Sequence, residues 1–113
     1  MATIVQRASA LEQFVGGCPA AAVYFSGPDC GVCIALEPKI EALLAERFPE
    51  ISLVKVNVEE AAALAAQYSV FTVPTLLVFF DGRETIRLSR AFSPAQLQER
   101  LRRPYDLLFG GKR

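Results

Sequence analysis

Cys30-Gly31-Val32-Cys33 is the clearest chemical feature of this chain, because two thiols three residues apart can do work that scattered cysteines cannot. At that spacing they can close a small ring as a disulfide, supply half of a zinc site, or sit buried as two small hydrophobes. Each reading makes demands on the rest of the sequence. Zinc wants four ligands. Cys18 is the third and last sulfur of a cysteine, and there is no histidine, so a mononuclear site within one chain needs a carboxylate. A cluster bridging two copies through paired motifs stays open. The missing histidine also excludes Ser-His and Cys-His catalytic pairs, imidazole ligation and a histidine pH switch. Cysteine, the carboxylates, lysine, tyrosine and the hydroxyls are left for chemistry.

The elements around the motif decide how it is presented. A short apolar run at Ala21–Phe25 reads as a strand that gives way, through Ser26-Gly27-Pro28-Asp29, to a helical pattern over Cys33–Phe48. In that pattern Leu36, Ile40, Leu43, Leu44 and Phe48 share a face, with Pro38 kinking the helix rather than preventing it. A cysteine in the first turn of a helix meets unpaired N–H groups and the positive end of the helix dipole, both of which favour a thiolate. Further strands are expected at Leu53–Val58, Thr75–Phe80 and Thr85–Ser89, the last two joined by the hairpin turn Asp81-Gly82. Ser9-Ala10-Leu11-Glu12 predicts a capped helix stopped by Gly16-Gly17, and Asn57 with Glu60 predicts an alanine-rich helix to about Gln67. Ser93-Pro94-Ala95-Gln96 predicts a capping box, with Phe92 stapled onto Leu97 and Pro104 closing that last helix. The order (β)αβαβαββα implies an α/β fold: a mixed sheet of four or five strands with about four helices on both faces. Phe25, Phe71, Phe79 and Phe80 read as core or groove lining.

Composition bounds the answer. With 113 residues, 52% hydrophobic and 21% charged, the chain suits one packed domain that needs no disulfide staples. Twelve basic and twelve acidic residues cancel, but unevenly. Residues 1–82 hold four basic and nine acidic groups, a balance of −5, and residues 83–113 hold eight basic and three acidic, a balance of +5. No long basic run and no basic-aromatic interleaving suggests a nucleic-acid surface. The amino-terminal residues show no signal-peptide pattern, and the apolar stretches Ala20–Phe25 and Leu76–Phe80 are too short to span a bilayer. The expectation is a cytoplasmic protein, where a close cysteine pair is redox-active or metal-binding rather than structural. Cys18, beside Pro19, reads as a half-buried structural thiol.

The chain resembles the thioredoxin family over roughly residues 3–103. The matching features are CGVC after the strand VYF, Pro38 five residues beyond the second cysteine, the strand KVNV carrying Lys55, the segment Phe71-Thr72-Val73-Pro74-Thr75, and Phe80-Asp81-Gly82 at the hairpin. The resemblance implies a three-layer α/β/α domain covering 1–113, with a core at 3–103 and an extension at 104–113. It implies that Cys30 attacks a substrate disulfide and Cys33 resolves the mixed disulfide, with no cofactor bound and no metal. It implies further that Pro74 follows a cis bond and packs beside the disulfide, that the backbone of Val73 pairs with a substrate peptide, and that Gly31 and Val32 line the same surface. The expected activity is that of a monomeric protein-disulfide reductase, serving disulfide-containing proteins and re-reduced by an NADPH-linked flavoprotein of the thioredoxin-reductase kind.

The chain departs from that family's pattern beside the nucleophile. Asp29 stands where tryptophan is usual, Val32 where proline is usual, and Tyr24 where an acid is commonly buried. Asp29 opposes thiolate formation by Coulomb repulsion, so Asp29, Tyr24 and Lys55 are the candidates for tuning the thiols. Arg90 takes the place of a glycine in the substrate groove, where a bulky cation narrows the groove or selects acidic partners. Two other classes remain open at this point: a redox-gated or redox-inactive binding module using the groove beside Pro74, and metal or cluster carriage by paired CxxC motifs in a dimer.

Overall fold

In the computed structural model, which describes residues 3–110, the chain runs β1 (Thr3–Ile4), α1 (Ala8–Gly17), β2 (Ala20–Ser26), α2 (Gly31–Arg47), β3 (Ser52–Asn57), α3 (Ala62–Gln67), β4 (Thr75–Phe80), β5 (Arg83–Ser89) and α4 (Pro94–Phe109). The five strands form one mixed sheet in the order β1-β3-β2-β4-β5. β3 runs parallel to β1 and β2, and β4 runs antiparallel to β2 and β5. β2 and β4 lie in the middle and are apolar on both sides: every residue of β4 is buried, and so are six of the seven in β2. That is why these two segments read as continuous hydrophobic runs rather than alternating ones.

Alternate residues of β2 feed two separate cores. Ala20, Ala22 and Tyr24 join Leu36, Ile40 and Leu44 of α2 and Leu97, Leu101 and Tyr105 of α4. Ala21, Val23 and Phe25 join Leu11 and Val15 of α1 and Leu64 and Ala65 of α3. Helices therefore cover both faces, giving the three-layer α/β/α arrangement expected from the sequence. The turn between β4 and β5 has both Asp81 (φ 53°) and Gly82 (φ 78°) in the left-handed region, the geometry that matches the twist of a hairpin.

Three helix boundaries differ from expectation. α1 begins at Ala8, with Arg7 at the cap position and no side-chain capping bond, so Ser9 lies inside the helix instead of capping it. Asn57 does not open α3: its side chain accepts the Glu59 N–H and its carbonyl the N–H groups of Glu60 and Ala61, which spends it on a turn before the helix starts five residues later. The cap of α4 is as expected, with Ser93 Oγ accepting from Gln96 N–H and Gln96 Oε1 accepting from Ser93 N–H.

Pro104 does not close α4, which continues through it to Phe109. Packing explains the continuation. Tyr105 is buried edge-to-face on Phe48 at 5.0 Å, its hydroxyl accepts the Glu50 N–H at 3.1 Å, and Phe109 stacks on it at 4.7 Å. These contacts, outweighing the backbone bond that a proline removes, anchor the last turns to the domain. Leu108 and Phe109 pack on the core, whereas Leu107 faces outward. Tyr105→Ala is expected to cost about 3 to 5 kcal/mol in urea denaturation, and a loss below about 1 kcal/mol would show that this segment is not anchored as described.

Candidate active site

Every strand end that matters lies along one edge of the sheet. Ser26 pairs with Asn57, Phe25 with Thr75, and Thr75 with Ser89, so the loops after β2, β3 and β5 and the loop before β4 emerge side by side. The loops after β2 and β3 are tied together there, since Ser26 C=O accepts the Val58 N–H at 2.9 Å.

The loop after β2 turns on the Cys30 N–H donating to Gly27 C=O at 3.3 Å and delivers Cys30 to the cap position of α2. Cys30 Sγ then accepts the backbone N–H of Cys33 at 3.1 Å, taking the role that a serine or aspartate oxygen has at most helix starts. Cys30 and Cys33 are joined as a disulfide with their Cα atoms 5.2 Å apart. The two sulfurs differ in access, since Cys30 is half-buried at the rim and Cys33 is 1% exposed. Gly31 and Val32 complete an open rim: a side chain at 31 would meet no atom within 4 Å, and Val32 is 51% exposed. Cys18 stands apart as a free, partly buried thiol packed against the other core.

The loop before β4 carries a cis bond between Val73 and Pro74. Thr75, the one buried polar residue there, donates its hydroxyl to Thr72 C=O at 2.8 Å. Pro74 C=O accepts the Arg90 N–H at 2.7 Å. Arg87 braces the same loop from β5: its guanidinium donates to the carbonyls of Tyr68 (2.8 Å) and Ser69 (3.0 Å) while held by both carboxylate oxygens of Glu84. Beside this loop a cleft of about 260 Å3 is lined by Val58, Ala62, Val70, Phe71 and Val73. Phe71 is not core: it is 79% exposed at the mouth of that cleft.

Beneath Cys33, Tyr24 is 1% exposed and donates its hydroxyl to Cys33 C=O at 2.9 Å. Burial, and after it the negative charge of Glu37, push its pKa from 10.0 up to about 12. Tyr24 thus keeps its proton at physiological pH and acts as a donor. Lys55 is engaged by Glu37, Nζ to Oε2 at 2.6 Å, with both side chains partly buried. Asp29 is exposed at the rim. Glu37 and Arg87 were not singled out in the sequence. The available signal for Glu37 was its place one helical turn after Cys33; the bracing role of Arg87 left none, because the carbonyls it holds, on Tyr68 and Ser69, lie in a loop 19 and 18 residues away. Among the described residues no group of three or more Cys, Asp or Glu side chains is placed to hold a metal ion.

Residues 3–103 match the thioredoxin family. A thioredoxin-like protein, YdfQ, of Bacillus subtilis is 39% identical over 100 residues, covering 88% of this chain and 88% of the relative. The thioredoxin of Bacillus subtilis is 40% identical over 76 residues, covering 66% of this chain and 72% of its own. Among solved structures, thioredoxin from Fasciola hepatica superposes with a TM-score of 0.77 at 34% identity, covering 86% of this chain and 93% of that one. A single-site variant of a Halobacterium salinarum thioredoxin gives 0.78 at 31% identity, covering 86% and 84%. The chain belongs to the thioredoxin family. It is a thiol-disulfide oxidoreductase whose dithiol/disulfide pair is Cys30-Cys33, acting on disulfide-containing substrates and returned to the dithiol by a reductase.

The buried phenol makes a testable contribution to stability. A group whose pKa is raised on folding stabilises fully below its unfolded pKa, here about 10, and loses that contribution as pH climbs through its folded value. Wild-type protein should therefore shed on the order of 2 kcal/mol between pH 10 and 12 that Tyr24→Phe does not shed. Urea unfolding of both proteins at pH 9 and 11.5 checks this, and equal losses would contradict the assignment.

Proposed function

We propose that this protein is a cytoplasmic, monomeric protein-disulfide reductase in which Cys30 is the nucleophile and Cys33 the resolving thiol. The unequal access of the two sulfurs carries the reading, since only Cys30 lies where a second protein can reach it. In the reduced protein the Cys30 thiolate, supported by the Cys33 N–H and the start of α2 and opposed by Asp29, attacks one sulfur of a substrate disulfide. The substrate S–S bond breaks, a mixed disulfide forms at Cys30, and the departing thiolate takes a proton from water. Cys33 then gives up its proton, and its thiolate attacks Cys30 Sγ. That step closes the Cys30-Cys33 disulfide and releases the second substrate thiol. Two electrons have moved to the substrate, and two from an NADPH-linked flavoprotein reductase restore the dithiol.

The substrate lies across the rim formed by Gly31 and Val32, with Val73 offering backbone pairing groups, Pro74 forming the wall beside the sulfurs and Arg90 bounding the far side. Tyr24 and Lys55 act from below: Tyr24 fixes the Cys33 carbonyl, and Lys55 with Glu37 sets the local charge. The functional unit is one domain, matched to its family over 3–103, with the end of α4 packed on the same core through Tyr105, Leu108 and Phe109. Among the described residues no helix is long and apolar enough to cross a membrane.

Cys30→Ser is expected to lose at least about 100-fold in reduction of a protein disulfide, while Cys33→Ser should still attack but accumulate a mixed disulfide visible by mass. Full activity in Cys30→Ser would overturn the mechanism. The midpoint potential of the pair decides the direction. A value of about −220 to −320 mV suits a reductase, and one near about −120 mV would point to disulfide formation instead.

A further inference from the structure

Along the edge that carries the disulfide, the exposed charges that flank it differ in sign, with the exposed cation Arg7 lying farther out, after β1. Following the sheet order, the loop after β3 presents Glu59 and Glu60, the loop after β2 presents Asp29 next to Cys30, and the end of β5 presents Arg90 beyond Val73 and Pro74. All four charged residues are exposed, and none takes part in an ion pair among the described residues. Glu60 accepts only the neutral amide of Gln6, which leaves its charge in place. Arg90 is the more telling pole. It holds a left-handed backbone (φ 66°), which costs a residue with a Cβ on the order of 1 kcal/mol, and such residues concentrate at functional sites. Its N–H is tied to Pro74 C=O, which anchors the Arg90 backbone beside the substrate wall. It also lines a cleft of about 270 Å3 with Phe71 and Thr72.

The geometry points to a bipolar partner: a disulfide segment with a carboxylate on the side lying over Arg90 and a cation on the side lying over Asp29, Glu59 and Glu60. This rests on the reductase reading above and adds to it the orientation in which substrates dock. Strands are spaced roughly 4.8 Å apart, so the poles at β3 and β5 lie roughly 15 Å from each other, which an extended chain crosses in about four or five residues. The selective charges therefore fall within about three residues of the attacked cysteine. Both poles lie within roughly one or two Debye lengths of the sulfurs at physiological salt, close enough to orient an encounter and weak enough to be screened.

The test uses four neutral-framework peptides, each with a central cysteine joined to mercaptoethanol by a disulfide. One carries Asp three residues before the cysteine and Lys two after, one the mirrored pair, one two Asp and one two Lys. Rates of reduction by the dithiol protein are compared as ratios within each variant. Wild-type protein should reduce one bipolar peptide about 10-fold faster than its mirror and faster than either single-sign peptide, with the difference falling below about 2-fold in 0.5 M salt, roughly. In Arg90→Glu both flanks of the disulfide are acidic, and the two-Lys peptide should become the best substrate. Arg90→Gly, which relieves the backbone, should lose the preference for Asp and serves if the Glu variant does not fold. Equal rates for the two bipolar peptides, or an unchanged ranking in both Arg90 variants, would overturn the proposal while leaving the reductase reading intact. Failure to reduce any of the four would instead overturn the reductase reading.

Discussion

The first hydrogen bond of α2 is made by a reactive atom. Cys30 Sγ accepts the Cys33 N–H, so the group that caps the helix is also the group that exchanges disulfides. This constraint propagates outward. The sulfur reaches the cap position only if β2 ends at Ser26 and the chain turns at once through Gly27 and Pro28. β2 ends there because its alternating residues are spent filling two cores, one on each face of the sheet. Cys33, one turn along, then falls on the buried side of α2 with Leu36, Ile40 and Leu44, while Cys30 stays at the rim. The difference in access between two chemically identical thiols is thus a consequence of helix geometry.

What lies beneath the disulfide departs from a simple buried acid. A phenol that holds its proton reaches Cys33 through the backbone carbonyl, and the acid comes from the helix itself, as Glu37, already neutralised by Lys55 on the neighbouring strand. A carboxylate and an ammonium paired at a partly buried site are much less costly than either alone, so Glu37 can sit near Tyr24 without leaving an orphan charge. The opposite wall depends on a different device. The loop from Tyr68 to Thr75 has little regular structure of its own and is held from β5 by the Arg87 guanidinium and from below by the Thr75 hydroxyl.

Much of this was readable in advance, for reasons that particular residues make plain. β2 and β4 were legible as short continuous apolar runs bounded by turn residues, β3 by its alternation, β5 by the Asp81-Gly82 turn before it and α2 by the shared face of Leu36, Ile40, Leu44 and Phe48, and the cap of α4 because Ser93, Pro94 and Gln96 each have a local physical role. The weak helix starts were misjudged where a polar residue had more than one partner to choose from. Ser9 yields to a helix begun one residue earlier, and Asn57 serves a turn. Pro104 was misread because its backbone cost is local and visible, whereas the burial of Tyr105 against Phe48 that outweighs it brings together residues more than fifty positions apart.

From the sequence alone came the chemical groups: a CxxC pair at a strand-to-helix junction, no histidine beside it, and a carboxylate in place of the usual aromatic next to the first cysteine, with a binding role and cluster carriage still open. These are properties of residue type and short-range spacing, and they survive without a three-dimensional structure. Tertiary structure alone decided which groups meet. The Glu37–Lys55 pair, the Arg87 brace, the Tyr24 bond to Cys33 and the sorting of Asp29, Glu59, Glu60 and Arg90 along one edge all depend on strand order, and a mixed sheet that places β2 between β3 and β4 is set by long-range packing. The −5 and +5 halves of the chain became a directional surface only because the sheet brings the ends of β3 and β5 to opposite sides of one disulfide.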